Sequence, residues 1–163
     1  MKYIILADAE NHEKFKIPRQ LSVVDGEPLV GRTVRLLKQN GINSEDIIIT
    51  SHDERFDAFG VQRFEKKEDN KYWVNAFPRE LIKRQKPITF LFGDVYFSEN
   101  AIKTIIKTET TSIMFFCSDG RKGYSKDYIK HHDEPFAFKV VDCDTFRKHI
   151  DMIKKLWDDG KTR

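Results

Sequence analysis

The chain has 163 residues, of which 29 are Lys or Arg and 26 are Asp or Glu, for a formal net charge of +3. That length suits one domain spanning 1–163 with a core that needs no disulfide or metal. So small a basic excess excludes the concentrated cationic footprint of a nucleic-acid binder, and no apolar run approaches membrane-spanning length.

The opening MKYIILADAE holds one Lys and a short apolar run, then turns acidic with no small-residue cleavage pattern. It argues against a signal peptide and for a cytoplasmic protein. YIILA at 3–7 is the first of several short, continuous apolar runs and reads as a strand. A long polar loop follows, DAENHEKFKIPRQL, with Lys14, Lys16 and Arg19 in it. A short segment at 21–24 leads to a turn at Asp25-Gly26. PLVGRTVRLLKQN at 28–40 then predicts a helix. Val30, Val34 and Leu37 share one face, Pro28 suits the first turn, and Gly41 is a natural stop.

IIIT at 47–50 is a second strand, ending on Thr50-Ser51-His52. Residues 72–85 read as a helix with Pro78 near its start. ITFLF at 88–92 is a third strand and ends on Gly93-Asp94. Residues 98–107 predict a helix capped by Ser98, with Ile102, Ile105 and Ile106 inward. IMFFC at 113–117 and PFAFKVV at 135–141 are further strands, separated by a polar segment rich in Lys, Gly and Asp. A last helix at 145–158 lines up Phe146, Ile150, Ile153 and Trp157. The four runs at 3–7, 47–50, 88–92 and 113–117 do not alternate polar with apolar, so each needs cover on both faces. The fold class is therefore α/β, a three-layer sandwich with a mostly parallel central sheet and right-handed crossovers. Cys117 and Cys143 sit in apolar surroundings and read as buried free thiols in a reducing compartment.

Open parallel sheets bind ligands beyond the carboxyl ends of their strands. Asp94 follows such a strand, so its carboxylate is expected at the ligand edge. Gly93 would let the backbone turn there and a ligand approach closely. A carboxylate in that place suits Mg²⁺, which takes one or two carboxylates together with substrate phosphates. Lys14, Lys16 and Arg19 lie in the loop after the first strand, where cations can cradle phosphates. Thr50, Ser51 and His52 end a neighbouring strand at the same edge. GxxxxGK[ST], a GxGxxG after the first strand, GxSxG, CxxC and HExxH are all missing from the sequence. The pair His131-His132 reads as surface loop, and Trp73 and Trp157 read as core or interface anchors. Asp142-Cys143-Asp144 has the spacing of a glycosyltransferase acidic motif, but it reads first as the cap of the last helix.

Taken together, Ile4, Leu6 and Ala7, then Pro18-Arg19-Gln20-Leu21, then Val24-Asp25-Gly26-Glu27-Pro28-Leu29, and finally Phe92-Gly93-Asp94 resemble the sugar-phosphate nucleotidyltransferases, which have a GT-A-like fold. EPFAFKV at 134–140 resembles the strand that lines the sugar side in that family. The resemblance implies that a sugar-1-phosphate or similar small phosphomonoester attacks the α-phosphorus of a nucleoside triphosphate and releases pyrophosphate. It implies Mg²⁺ as the cofactor, with Asp94 as its ligand. Arg19 would stand where the family has a phosphate-binding Lys. Ala7, Asp8, Ala9, Glu10 and Asn11 would lie against the nucleotide, with Lys14, Lys16 and Gly93. Glu134 and Lys139 would serve the acceptor.

The implied partners are a nucleoside triphosphate and a phosphorylated sugar or polyol, with no nucleic acid and no membrane. A homo-oligomer is left open. Three departures stand beside the resemblance. Ala9 and Asn11 occupy places where the family carries glycines, and Arg19 replaces Lys. No residue among Asp142, Asp144, Asp151, Asp158 and Asp159 matches the family's second metal-binding Asp. The chain is short for the family, so a truncated or minimal member is expected. A catalytically degenerate nucleotide-binding domain and a GT-A glycosyltransferase are the alternatives.

Overall fold

The computed structural model describes residues 1–7, 17–65, 76–82, 86–117 and 134–161. A six-stranded sheet forms its centre. Its strands are β1 (Lys2–Leu6), β4 (Ile47–Thr50), β5 (Gln62–Phe64), β6 (Ile88–Phe92), β7 (Ile113–Cys117) and β8 (Pro135–Val140). A separate two-stranded hairpin joins β2 (Val23–Val24) to β3 (Glu27–Pro28). The helices are α1 (Leu29–Gln39), α2 (Arg79–Ile82), α3 (Glu99–Lys107) and α4 (Cys143–Asp158).

The strands of the sheet run in the order β5-β4-β1-β6-β8-β7. β4 and β6 flank β1 in parallel and β5 continues in parallel beyond β4. β8 is antiparallel to both β6 and β7. The sheet is thus mostly parallel, as expected, with one reversed strand near an edge.

Alternation along the strands separates two cores. Tyr3, Ile5, Ile47, Ile49, Leu91 and Ala137 face a cluster that includes Val30, Val34 and Leu37 of α1 and Ile102 and Ile105 of α3. Ile4, Leu6, Ile48, Ile88, Phe90, Phe138 and Val140 face the other way, toward Leu81 and Ile82 of α2 and Ile150 of α4. α1 packs on α3, and α2 on α4, which gives the three layers. The second core is rich in aromatic rings. Phe77 meets Phe90, Phe138 and Phe146 edge to face at 5.3, 5.4 and 5.7 Å. Such pairs add about 0.5–1.5 kcal/mol each beyond area burial.

Local signals explain the element ends. α1 begins after Pro28, and the first free N–H, that of Leu29, is taken by the Ser22 carbonyl at 3.1 Å. It ends at Gly41, with φ +84°, where Ile42 N–H reaches Leu37 O and Gly41 N–H reaches Lys38 O. That pair of bonds is the Schellman arrangement, which favours glycine in the left-handed position. Ser98 Oγ accepts from Ala101 N–H at 3.2 Å and caps α3. Asp142 accepts from Thr145 N–H at 2.9 Å and caps α4, two residues earlier than the predicted start.

Two expectations are corrected. β7 was expected to be covered on both faces, but it is the outer strand of the sheet, with Met114 and Phe115 exposed. A continuous apolar run does not distinguish an inner strand from an edge strand. Cys117 ends that edge strand and is exposed, whereas Cys143 is buried as expected. Of the predicted helix at 72–85, only residues 76–82 and their turn of helix lie within the described residues. No helix among the described residues is long and apolar enough to cross a membrane.

Candidate functional site

Strand order reverses at β1: the chain runs outward through β4 and β5, then returns to the other side of β1 as β6. In open α/β sheets, a crevice forms where neighbouring connections diverge in this way, beyond the carboxyl ends of the two strands. Here those ends are Leu6-Ala7 and Phe92-Gly93-Asp94. Leu6 pairs with Phe92, and Gly93 N–H donates to Leu6 O at 2.9 Å. Ala7 is buried, and its N–H reaches the Thr50 carbonyl at 3.1 Å. Asp94 is exposed, one residue past this seam.

Gly93 is required for a reason other than the one expected. Its φ is not in the left-handed region, so no special turn demands glycine. A Cβ there would stand 2.8 Å from Leu6 O, 3.0 Å from Gln20 Cγ and 3.3 Å from Ile5 Cγ2. The side chain is missing to let two backbones and a glutamine come together.

The Gln20 contact also places the cationic turn. Pro18 leads into a 3-10 turn at Arg19–Leu21, closed by Leu21 N–H to Pro18 O at 2.9 Å. Gln20 is buried against Gly93, so its neighbour Arg19, which is exposed, stands at the same edge. Gln20 was not singled out from the sequence for any role, and its Oε1 is buried with no hydrogen-bond partner among the described residues.

Glu134 reaches this edge from the opposite direction. β8 is antiparallel, with Ala137 opposite Leu91. Glu134 directly precedes β8 and so lies at the same end of the sheet as Asp94. Lys139 is not at this edge, which corrects its expected acceptor role. It pairs with Thr89 near the far end of β6, is 2% exposed, and donates to Thr108 O at 2.5 Å and Ile106 O at 3.4 Å. Its ammonium terminates α3, where cations are favoured, and burial pulls its pKa below the ordinary lysine value.

The strand end at 50–52 contributes less than expected. Thr50 is fully buried, its hydroxyl donating to Ile5 O and accepting from Ala7 N–H. Ser51 Oγ accepts from Asp53 N–H, and His52 is exposed. The expected nucleotide contacts at Asp8, Ala9, Glu10, Asn11, Lys14 and Lys16 lie outside the described residues, as do Trp73, His131 and His132. Trp157 is half-buried and packs against the second core.

The C-terminal acids do not gather at the site. Asp142 follows β8, whose Val140 pairs with Ile88, so it caps α4 at the edge opposite Asp94. Asp151 pairs with Arg79 at 2.9 Å, and Asp159 with Lys161 at 3.3 Å. The glycosyltransferase spacing at 142–144 is thereby a helix cap. Among the described residues no three His, Cys, Asp or Glu side chains are grouped to hold a metal ion. A cavity lined by Lys2, Ile4, Ile48, Leu81, Lys86 and Ile88 also lies at the far edge, away from the switch point.

A polar network surrounds the Asp94 loop, and the sequence did not reveal it. Asp25 and Gly26, with φ +52° and +82°, form the two left-handed positions of the β2–β3 hairpin turn. Tyr96 Oη donates to Asp25 Oδ2 at 2.6 Å, and that bond raises the Tyr96 pKa. The Arg32 guanidinium lies 4.3 Å from the Tyr96 ring centroid, and its Nε donates to Phe97 O at 2.8 Å. Glu27 accepts from Arg32 at 3.0 Å and from Arg35. Hydrogen bonding from Arg35, ahead of that from Arg32, holds its carboxyl below the ordinary range against a smaller opposing effect of burial.

No family model matches the chain, and no curated protein matches it. Solved structures do. The chain is similar to a hypothetical transferase from Thermus thermophilus, at 13% identity and a TM-score of 0.65, over 97% of this chain and 73% of that one. It is similar to the inositol-1-phosphate CTP transferase from T. maritima, at 16% identity and a TM-score of 0.57, over 85% and 69%. It is also similar to the CTP:phosphocholine cytidylyltransferase from Streptococcus pneumoniae, at 20% identity and a TM-score of 0.50, over 98% and 78%. At these identities the likeness establishes the fold. The chain folds as these solved structures do, in keeping with the expected nucleotidyltransferase-like architecture.

Proposed function

We propose that this chain, on its nucleotidyltransferase-like fold, transfers a nucleotidyl group from a nucleoside triphosphate to a small phosphomonoester. The acceptor would be a sugar phosphate, a polyol phosphate or a similar alcohol phosphate. Its phosphate oxygen would attack the α-phosphorus, and pyrophosphate would leave. The observation that carries this reading is Asp94, an exposed carboxylate one residue beyond the β1–β6 seam at the switch point.

A Mg²⁺ ion fits the donor set, because a lone carboxylate plus substrate phosphates is a usual environment for it. When bound it would neutralise charge on the phosphate oxygens. Asp94 would hold it, and Glu134, at the start of β8 on the same end of the sheet, would serve the acceptor. Arg19, on its 3-10 turn, would bind a phosphate by charge-assisted hydrogen bonds. No side-chain nucleophile is needed, since positioning and charge stabilisation dominate such transfers.

CTP is the first triphosphate to test, because two structural neighbours are CTP-using transferases. The 163 residues are read as one domain, and an exposed Cys117 thiol suits the reducing cytoplasm.

The test is a thermal-shift panel of the four nucleoside triphosphates with and without Mg²⁺. One triphosphate should raise the melting temperature only with the metal, and Asp94→Asn should reduce that rise. Silence from all four refutes the reading. A second reading, nucleotide binding without catalysis, draws on the described acids of α4. They cap the helix or pair elsewhere and offer no second carboxylate at the site. Binding without pyrophosphate release, across a range of acceptor phosphates, would select it.

A further inference from the structure

We infer that Arg32 and Tyr96 are positioning residues for Asp94. They clamp the segment after β6 between α1 and the β2–β3 hairpin. The inference rests on the reading of Asp94 as the carboxylate of the ligand edge.

The Asp94 side chain makes no hydrogen bond or ion pair among the described residues. Its location is therefore set by the backbone on either side. On one side, Gly93 N–H is anchored on Leu6 O at 2.9 Å. The next backbone bond, Val95 N–H to Phe92 O, is 3.4 Å long and weak. Val95 and Phe97 pack into the first core, and α1 and the hairpin add directed polar contacts at Tyr96 and Phe97. Arg32 Nε takes the Phe97 carbonyl at 2.8 Å while its guanidinium covers one face of Tyr96. Tyr96 Oη then reaches Asp25 at 2.6 Å. Glu27, bound by Arg35 as well, keeps the Arg32 fork in its plane.

The Arg32 and Tyr96 side chains lie outside both core clusters, although Phe97, whose carbonyl Arg32 holds, belongs to the first. Tyr96 is 43% exposed, and the Arg32 side chain is 15% exposed. The contribution of the clamp is accordingly directional. A carboxylate that must meet a metal and a polyphosphate needs placement within a fraction of an ångström, and such placement depends on the shell behind it.

A double-mutant cycle tests this on the full chain. Tyr96→Phe removes one oxygen and keeps the ring, and Arg32→Lys keeps the charge but loses the fork. Each is made in the parent and in an Asp94→Asn background. The affinity for CTP, and for the other three triphosphates, is measured by calorimetry with Mn²⁺ present. Unliganded melting temperatures are recorded in parallel. Each variant should weaken binding about fivefold in the parent and less than about twofold in Asp94→Asn, with the unliganded fold retained.

Equal weakening in both backgrounds would overturn the inference, because the residues would then act independently of Asp94. No weakening in either would overturn it as well. If Tyr96→Phe fails to fold, Arg32→Lys decides alone. Unfolding of both would show that the clamp holds the fold rather than the carboxylate, and would also overturn the inference. A parent chain that binds no triphosphate overturns the nucleotidyl-transfer reading itself, and this inference with it.

Discussion

The carbonyl oxygen of Leu6 lies 2.8 Å from the point where a Cβ on Gly93 would stand, closer than real side chains come to a backbone oxygen. Gly93 N–H already donates to that same carbonyl, so β1 and β6 are zipped one residue beyond their last pair. Gly93→Ala must part the two strands or displace Gln20. It should lower stability by roughly 1–3 kcal/mol, as other overpacking changes do, measured by urea denaturation. Stability equal to the parent would mean that the seam yields freely.

Asp94 is exposed and its side chain is unpaired among the described residues, so it adds little to the fold. Asp94→Asn should change stability by less than about 0.5 kcal/mol while weakening, though not eliminating, metal-dependent triphosphate binding. Arg19→Ala should weaken triphosphate binding by roughly 1.5–3 kcal/mol, the range for hydrogen bonds to charged groups. Calorimetric titration reads both. Parent-like affinity in Arg19→Ala would return that residue to an ordinary surface turn.

Asp142 separates the helix-cap role from the acidic-motif role. Its carboxylate accepts from Thr145 N–H at 2.9 Å, and that bond is the leading reason its pKa is lowered. Asp142→Ala should destabilise by about 1 kcal/mol, as lost N-caps do, with triphosphate affinity unchanged. A loss of nucleotide or nucleotide-sugar binding at parent stability would restore the glycosyltransferase reading.

Glu27 ties the clamp to pH. Its carboxyl titrates below the ordinary value of 4.5 because Arg35 and Arg32 donate to the ionised form. The folded state therefore holds its proton less tightly than the unfolded state. Stability from this carboxylate is fully present above pH 4.5 and is lost as pH falls through the lowered folded value. Melting temperatures across the acid range should fall less steeply in Glu27→Gln than in the parent. Parallel acid limbs would show that Glu27 is not linked to folding.

The two thiols should behave differently in the native protein. Cys117 is exposed at the end of edge strand β7, while Cys143 is buried, donates to Lys86 O at 3.2 Å, and has a pKa raised chiefly by burial. A thiol reagent should label Cys117 rapidly and Cys143 only on unfolding, which peptide mass mapping would show. Rapid labelling of both would mean that the start of α4 opens readily.

The elements of this fold were legible because their signals are local. A run such as ITFLF has few options but a buried strand, and Ser98, Gly41 and Asp142 end or begin helices through bonds spanning only a few residues. Asp94 was legible too, since a carboxylate at the end of a buried strand in a parallel sheet must emerge at one edge. Burial of a particular strand was not legible. IMFFC and ITFLF are equally apolar, and only pairing order puts the first at the rim. Lys139 shows the same limit, because its distance along the chain from Glu134 says nothing of the reversed strand that carries it to the opposite end.

By itself, then, the sequence determined the kinds of element, their order, and the residue types offered at each strand end, since backbone propensity and side-chain period act over a few neighbours. Only the tertiary structure decided which strand ends became neighbours. It alone set Gln20 against Gly93, Tyr96 against Asp25 and Arg32 against Phe97. These contacts join segments up to 73 residues apart (Gln20 and Gly93). Pairings over such distances are selected by how the whole sheet buries its two faces, and no short window of residues carries that information.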